Sequence, residues 1–296
     1  MFAVTGVTGQ VGRAVANSLI DRRRDVRVIV RSGPKAHPWV TRGAGFAVAA
    51  IENPEAMAEA LNRVEGAFVM LPPIFDPSPG FPEAKAMIAA LRTALTRATP
   101  LKIVVLSTIG ASAPQPNLLN QLGLMEAAFA DLPMPVAFLR AAWFMENAAG
   151  DVAAARETGL VTTYLQPLDK VFPMVATEDV GRAAAELLLE NWRGHRVVEV
   201  EGPARVSPND LAAAFSKALE RTVSIKVAPR DGWEATFRAQ GMTNPTPRVQ
   251  MVDGFNEGWI EFSDGGANAR RGRISINEAI GALVANTSAP AHAAEA

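Results

Sequence analysis

The sequence predicts a doubly wound α/β fold: a parallel sheet with helices on both faces. Three observations carry this. Short apolar runs alternate with helix-period segments from Phe2 to Arg140, which is the pattern of repeated βαβ units. A helical segment, rather than a tight turn, separates successive runs, so neighbouring strands pair in parallel. A glycine-rich turn, Gly6-Val7-Thr8-Gly9-Gln10-Val11-Gly12, follows the first run directly. This combination is Rossmann-type.

Composition narrows the function classes. The chain has 296 residues, 49% hydrophobic and 20% charged, enough to bury a core without staples. It has no Cys, which excludes disulfides, thiolate catalysis and Cys-ligated metals. Its 29 Lys+Arg against 30 Asp+Glu give a net charge of -1, so no nucleic-acid contact and no attraction to an anionic membrane are expected. No basic segment with an apolar stretch opens the chain and no apolar run reaches about 18 residues, so the expected compartment is the cytoplasm. Residues 286–296 read as a flexible tail.

The elements follow in order. Residues 2–5 form a short first strand, and Val11, Val15 and Leu19 recur every four residues on one helical face. Gly6 lets the chain leave the strand sharply, Gly9 allows close backbone approach to a pyrophosphate, and Gly12 allows tight helix–strand packing. The free amides and dipole of that helix start favour an anion. Residues 26–32 form a second strand. Near its end, where an Asp or Glu would bind a ribose 2′-hydroxyl, stands Arg31. Arg cannot accept from a hydroxyl but can fork onto a 2′-phosphate. NADP(H) is therefore expected over NAD(H), with Ser32 and Lys35 as helpers.

A third strand covers residues 46–50. Pro54 opens a helix with Met57, Leu61 and Val64 inward. A fourth strand, residues 67–71, stops at Pro72-Pro73 and runs into a Pro-rich loop at 74–80, at a strand carboxyl end where such sheets bind ligands. Pro82 starts a helix that buries Met87, Ile88, Leu91 and Leu95. The fifth strand, 101–108, ends in Ser107 and Thr108, and residues 136–140 form the sixth. Thr177 reads as an N-cap before Val180, Leu187 and Leu188. Residues 197–200 return to the main sheet. Ser207 caps a helix with Leu211, Phe215 and Leu219 inward. The expected division is residues 1–149 with 173–203 as the nucleotide-binding part, and 150–172 with 204–285 as a smaller α+β substrate-side part.

Trp143, Phe144 and Asn147 follow the sixth strand's carboxyl end and are expected to line a substrate pocket; Trp233 and Trp259 are candidates to join them, although for either one core packing is the stronger reading. Residues 241–245 read as a flexible loop and a lid. His37, His195 and His292 show no metal spacing, and none sits where it would activate Ser107 as a nucleophile.

On the Gly6–Gly12 turn, Val30-Arg31, Leu139-Arg140 with Trp143-Phe144-Met145-Glu146-Asn147, Val175-Ala176-Thr177-Glu178-Asp179-Val180-Gly181, Glu201-Gly202-Pro203 and the stretch 248–262, the chain resembles the NmrA-like branch of the atypical short-chain dehydrogenases. That branch includes NADPH-dependent quinone oxidoreductases, azoreductase-type proteins and redox-sensing regulators. The resemblance implies an NADP(H) site from Gly6, Thr8, Gly9, Gln10, Val11, Arg31, Leu71, Pro72 and Ser107. The Asp that such proteins often carry for the adenine is replaced by Ala50, which leaves backbone or Glu52 for that contact. Short-chain dehydrogenases commonly use a Tyr-x-x-x-Lys pair as acid and pKa-lowering partner; Leu118 and Leu122 fill those positions here, and the one Tyr, Tyr164, lies elsewhere. No catalytic acid is assigned.

Two readings stay open. In one, an NADPH-dependent oxidoreductase passes hydride to a quinone-like, azo or other small aromatic electron acceptor that needs little acid help. In the other, a non-catalytic NADP(H) sensor acts through a protein partner. A homodimer is left open.

Overall fold

A computed structural model describes residues 1–288 of the chain. His292 and the end of the expected tail lie outside the described residues. The nucleotide half begins with β1 (Phe2–Val4), α1 (Gln10–Asp21) and β2 (Val26–Val30), followed by the one-turn α2 (His37–Val40) and β3 (Gly45–Val48). Next come α3 (Pro54–Leu61), β4 (Gly66–Val69), α4 (Pro82–Ala98), β5 (Ile103–Thr108), α5 (Asn120–Phe129) and β6 (Val136–Ala141). The chain then passes through β7 (Trp143–Phe144), a 3-10 segment (Met145–Asp151), α6 (Val152–Thr158), β8 (Leu160–Thr163) and β9 (Met174–Val175). The remainder is α7 (Thr177–Leu189), β10 (His195–Glu201), α8 (Pro208–Leu219), β11 (Ser224–Val227), α9 (Trp233–Ala239), α10 (Thr246–Glu257), β12 (Arg270–Arg271) and α11 (Ile276–Ser288).

Eight strands form one sheet in the order β12-β10-β6-β5-β4-β1-β2-β3, and every pairing is parallel. The order reverses at β1, so β1 has β2 on one side and β4 on the other, with Phe2 opposite both Val26 and Gly66. Such a reversal opens a crevice at the strands' carboxyl ends. Several strands stop earlier than their apolar runs: β4 ends at Val69 although Leu71 is buried, because the ladder to β5 ends there.

Two clusters sandwich the sheet. On one face, Val15 and Leu19 of α1 and Val180 and Leu187 of α7 bury against Val4, Val28 and Val104. On the other, Leu61 of α3, Leu91 and Leu95 of α4, and Met125 and Phe129 of α5 cover Ala3, Val69 and Val105. Small residues set the α1–α7 crossing: a Cβ on Gly181 would overlap Ala14. Ser207 caps α8 through a reciprocal pair with Asp210, as its sequence predicts.

The smaller part has its own cluster, with Val152, Ala155, Phe215 and Ile280 packed under the two-stranded parallel sheet of β8 and β11. Its aromatics do not form a separate core. Trp233, Phe237, Phe255 and Phe262 bury in the same cluster as α1 and α7. The helix α11 runs to Ser288, so the first three residues of the expected tail are helical.

Candidate functional site

The Gly-rich turn has the geometry its spacing predicts. Gly6 adopts φ +69°, and a Cβ there would press the Met70 sulfur at 2.5 Å. A Cβ on Gly12 would overlap the Gly6 and Thr5 carbonyls. The Gly9 N–H donates to the Gly6 carbonyl at 2.9 Å. Gly9 is also the N-cap of α1, and no side chain caps that helix. Thr8, Gly9 and Gln10 are exposed, while Val7 and Val11 are buried and anchor the turn. Thr5 joins the turn to the neighbouring strand end: its hydroxyl donates to the Phe68 carbonyl and accepts from the Met70 N–H, both at 3.2 Å. Leu71, buried, and Pro72, exposed, follow at once and form the facing rim.

The second helix that starts beside this crevice is treated differently. Thr177 is not the N-cap of α7; Ala176 is, and Thr177 is the first helical residue. The cap comes from another element. The Glu146 carboxylate accepts the Thr177 N–H at 2.9 and 3.1 Å and its hydroxyl at 2.8 Å. The Thr177 hydroxyl also lies 3.2 Å from the Gln10 carboxamide oxygen. The turn, the segment after β6 and the start of α7 therefore meet at one point. A protein carboxylate already supplies the negative charge at the α7 N-terminus. The α1 N-terminus has open amides and no such partner, which is the condition for binding an external anion.

At the end of β2, Arg31 and Ser32 are exposed. Arg27, on the same strand, is committed to the Ala60 and Asn62 carbonyls. Arg31 has no hydrogen-bond or ion-pair partner among the described residues, so its guanidinium is free to take a phosphate. Ser32 precedes a 3-10 turn without capping it, which leaves its hydroxyl free as well. The open helix start, the glycine cradle and the free Arg31 fit NADP(H). His37 and His195 are exposed and remote from Ser107 in the chain.

Ser107 is turned inward, 3% exposed. Its hydroxyl donates to Glu126 of α5 at 2.5 Å. Arg140, opposite Ser107 in the β5–β6 register, grips the same carboxylate with two bonds of 2.9 and 2.6 Å and reaches Ser112 at 3.2 Å. The hydrogen bonds to Glu126, and secondarily its charge, hold the Arg140 guanidinium above its usual pKa. The Ser107 proton is committed to that carboxylate. Ser107 can therefore offer the crevice only a hydrogen-bond acceptor. Glu126, Ser112 and the Arg140 side chain were not recognised from sequence; the pairing of Ser107 with Arg140 across adjacent strands is the signal that would have found them.

Leu118 and Leu122 carry no acid or amine. Leu118 is buried just before α5, and Leu122 packs against the α3–α5 core. Tyr164 packs edge-on to Trp233 at 5.5 Å, away from α5.

The predicted pocket residues separate. Trp143 and Phe144 are half-buried and Asn147 is exposed beside them; Trp143 meets Phe255 edge to face at 5.1 Å. Trp259 is half-buried, with its indole N–H on Glu257 at 2.9 Å. Trp233 does not belong with them. It is fully buried and donates to the Ala228 carbonyl at 2.9 Å, so it is a core residue. The expected lid, residues 241–245, is latched. Asp76 accepts the Thr243 N–H, the Thr243 hydroxyl and the Asn244 N–H, each at 2.8 Å. These bonds hold the Asp76 carboxyl below the usual carboxylate range. A groove of about 450 Å³ between β3 and α3, lined by Arg27, Phe46 and Arg63, flanks the outer sheet edge rather than the crevice.

Comparison with known proteins agrees with this geometry. The model of the NmrA-like family matches residues 1–243. An NAD(P)H azoreductase of Xenophilus azovorans is 26% identical over 259 residues, covering 87% of this chain and 85% of that protein. Quinone oxidoreductase 2 of Escherichia coli is 25% identical over 244 residues, 82% of each chain. The crystal structure of an NADPH-dependent quinone oxidoreductase from Escherichia coli, complexed with NADPH, superposes with a TM-score of 0.79 at 22% identity, over 96% of this chain and 99% of that one. The Citrobacter triphenylmethane reductase superposes equally well, TM-score 0.79 at 19% identity, with the same coverage. From its first strand to the latched loop, the chain belongs to the NmrA-like family.

Proposed function

We propose that the protein is an NADPH-dependent oxidoreductase that reduces a quinone-like or azo acceptor without a Tyr–Lys pair. The observation that carries this is the contrast between the two helix starts: α7 is capped by Glu146, whereas α1 is left open beside the free Arg31. The α1 amides would take the diphosphate and Arg31 the 2′-phosphate, and bound NADPH supplies a hydride. Leu118 and Leu122 leave the crevice without a proton donor at the usual place, which suits an acceptor whose reduced form is a stabilised anion. Hydride addition to a quinone gives a hydroquinonate, and water protonates it. Trp143 and Phe144 would exclude water from one side and orient a flat ring. The dye- and quinone-reducing relatives support the same acceptor class.

The test is NADPH consumption by purified, flavin-free protein against a panel of quinones and azo dyes. Acceptor-dependent loss of NADPH absorbance is expected, with NADPH used in preference to NADH. Tight NADPH binding with no turnover across the panel would overturn the enzymatic reading and favour a redox-sensing regulator.

A further inference from the structure

The loop after β4 holds out one aromatic side chain that the fold fixes in place and does not cover. Phe75 is 64% exposed. Residues on both sides of it are tied down from different parts of the molecule. The Ile74 carbonyl accepts from the Gln121 amide of α5 at 3.1 Å, and Gln121 is itself buried. Asp76 receives its three bonds from Thr243 and Asn244, between α9 and α10. The Pro77 carbonyl takes a further bond from the Asn244 side chain at 2.8 Å. Ser78 is tied to Glu83 at the start of α4. Arg238 steadies the far side of the latch: it donates to the Thr243 carbonyl at 2.9 Å and its charge also lowers the Asp76 pKa.

A surface loop with a solvent-facing phenyl ring gains nothing in stability from such anchoring at the ring itself, since the apolar area stays in water. The anchoring does fix the ring's position. That position is the carboxyl end of β4, next to the strand end that Thr5 fastens to the Gly6 turn, and between α5 and the substrate-side loop. We propose that Phe75 is a specificity-determining wall of the acceptor site, which packs against a planar aromatic acceptor, and that Asp76 is the residue that positions it. Aromatic pairing adds to simple burial through ring quadrupoles, so extended, multi-ring acceptors gain more from this wall than small ones.

This proposal rests on the acceptor reading above. The test uses Phe75→Ala in the full chain, with NADPH and two acceptors, an extended azo dye and benzoquinone. KM for the dye is expected to rise roughly tenfold, with kcat and NADPH affinity unchanged and a much smaller shift for benzoquinone. Phe75→Trp is expected to restore the dye KM. Asp76→Ala is expected to raise the dye KM in the same way without altering NADPH affinity. Unchanged dye KM in Phe75→Ala, or equal shifts for both acceptors, overturns the proposal. If wild-type protein turns over neither acceptor, the functional reading fails and equilibrium binding of the dye to NADP+-loaded protein decides Phe75. Weaker binding by Phe75→Ala then supports the wall, and equal binding, or no binding by the wild type, refutes it. Phe75→Ala removes an exposed group, so its thermal stability is expected to match wild type and the comparison does not depend on Asp76→Ala folding.

Discussion

Arg31 is the residue we propose to set which dinucleotide the crevice prefers. A guanidinium that has no protein partner breaks no protein contact when it grips a phosphate, and a charge-assisted bond of this kind contributes about 1.5–3 kcal/mol net of the water it displaces. Arg31→Ala is therefore expected to weaken NADPH binding roughly tenfold to a hundredfold while leaving NADH binding nearly unchanged; titration with each nucleotide measures it, and equal losses would exclude the 2′-phosphate role. Asp151 carries a separate prediction. Burial alone raises its carboxyl to about 6 from 3.8, and its side chain makes no cap bond to α6. The folded pKa lies above the unfolded one, so the fold is most stable with Asp151 protonated and loses stability as pH rises from 3.8 through 6. Asp151→Asn is expected to stabilise the protein at neutral pH by up to about 3 kcal/mol, and the gain should disappear in acid below the ordinary carboxylate range. Melting temperatures across pH check this; a gain independent of pH would contradict it. The backbone geometry of Gly6 and Gly12 was legible in the sequence because it depends on local spacing. Glu126, Glu146 and Asp76 were not, because their partners lie 14 to 168 positions away along the chain. Trp233 takes the core alternative of its two readings, 0% exposed; composition alone does not say which aromatic is turned inward.

Helices and strands show the same split between local and distant causes. The alternation of strands with helices and the helix faces follow from period and punctuation, and Pro54 and Pro82 open helices as expected. The α7 start differs because the capping group comes from another element. Glu146→Ala removes that cap and leaves the Thr177 N–H without its acceptor, with only Gln10 left to the hydroxyl. A cost of about 1–2 kcal/mol is expected from loss of a cap, read as a lower melting temperature. NADPH affinity should fall too, since Thr177 sits against Gln10. Unchanged melting would mean that solvent caps α7 equally well. The helix α11 carries start and face signals of its own. Ser275 and Glu278 bond each other's backbone at its start, and Ala279, Ile280 and Val284 repeat at helical spacing and are buried. The expected lid was read from its Gly, Asn and Pro content, and such composition marks a turn without revealing that Asp76 fastens it.

On the scale of the whole molecule, binding should appear as stability. A ligand at a hundred times its dissociation constant stabilises the state it binds by about 2.7 kcal/mol, so saturating NADPH is expected to raise the melting temperature clearly and NADH to raise it less at equal concentration. Identical shifts would contradict the Arg31 assignment. The shared core has a further consequence. Trp233 and Phe255 bury in one cluster with Val15 and Val180, and the chain crosses from the nucleotide half to the substrate side and back before β10. Neither half can be cut out with its hydrophobic contacts satisfied. The two should melt together as one cooperative unit, and grip on the dinucleotide in the crevice would steady the acceptor-side aromatics with no hinge between them.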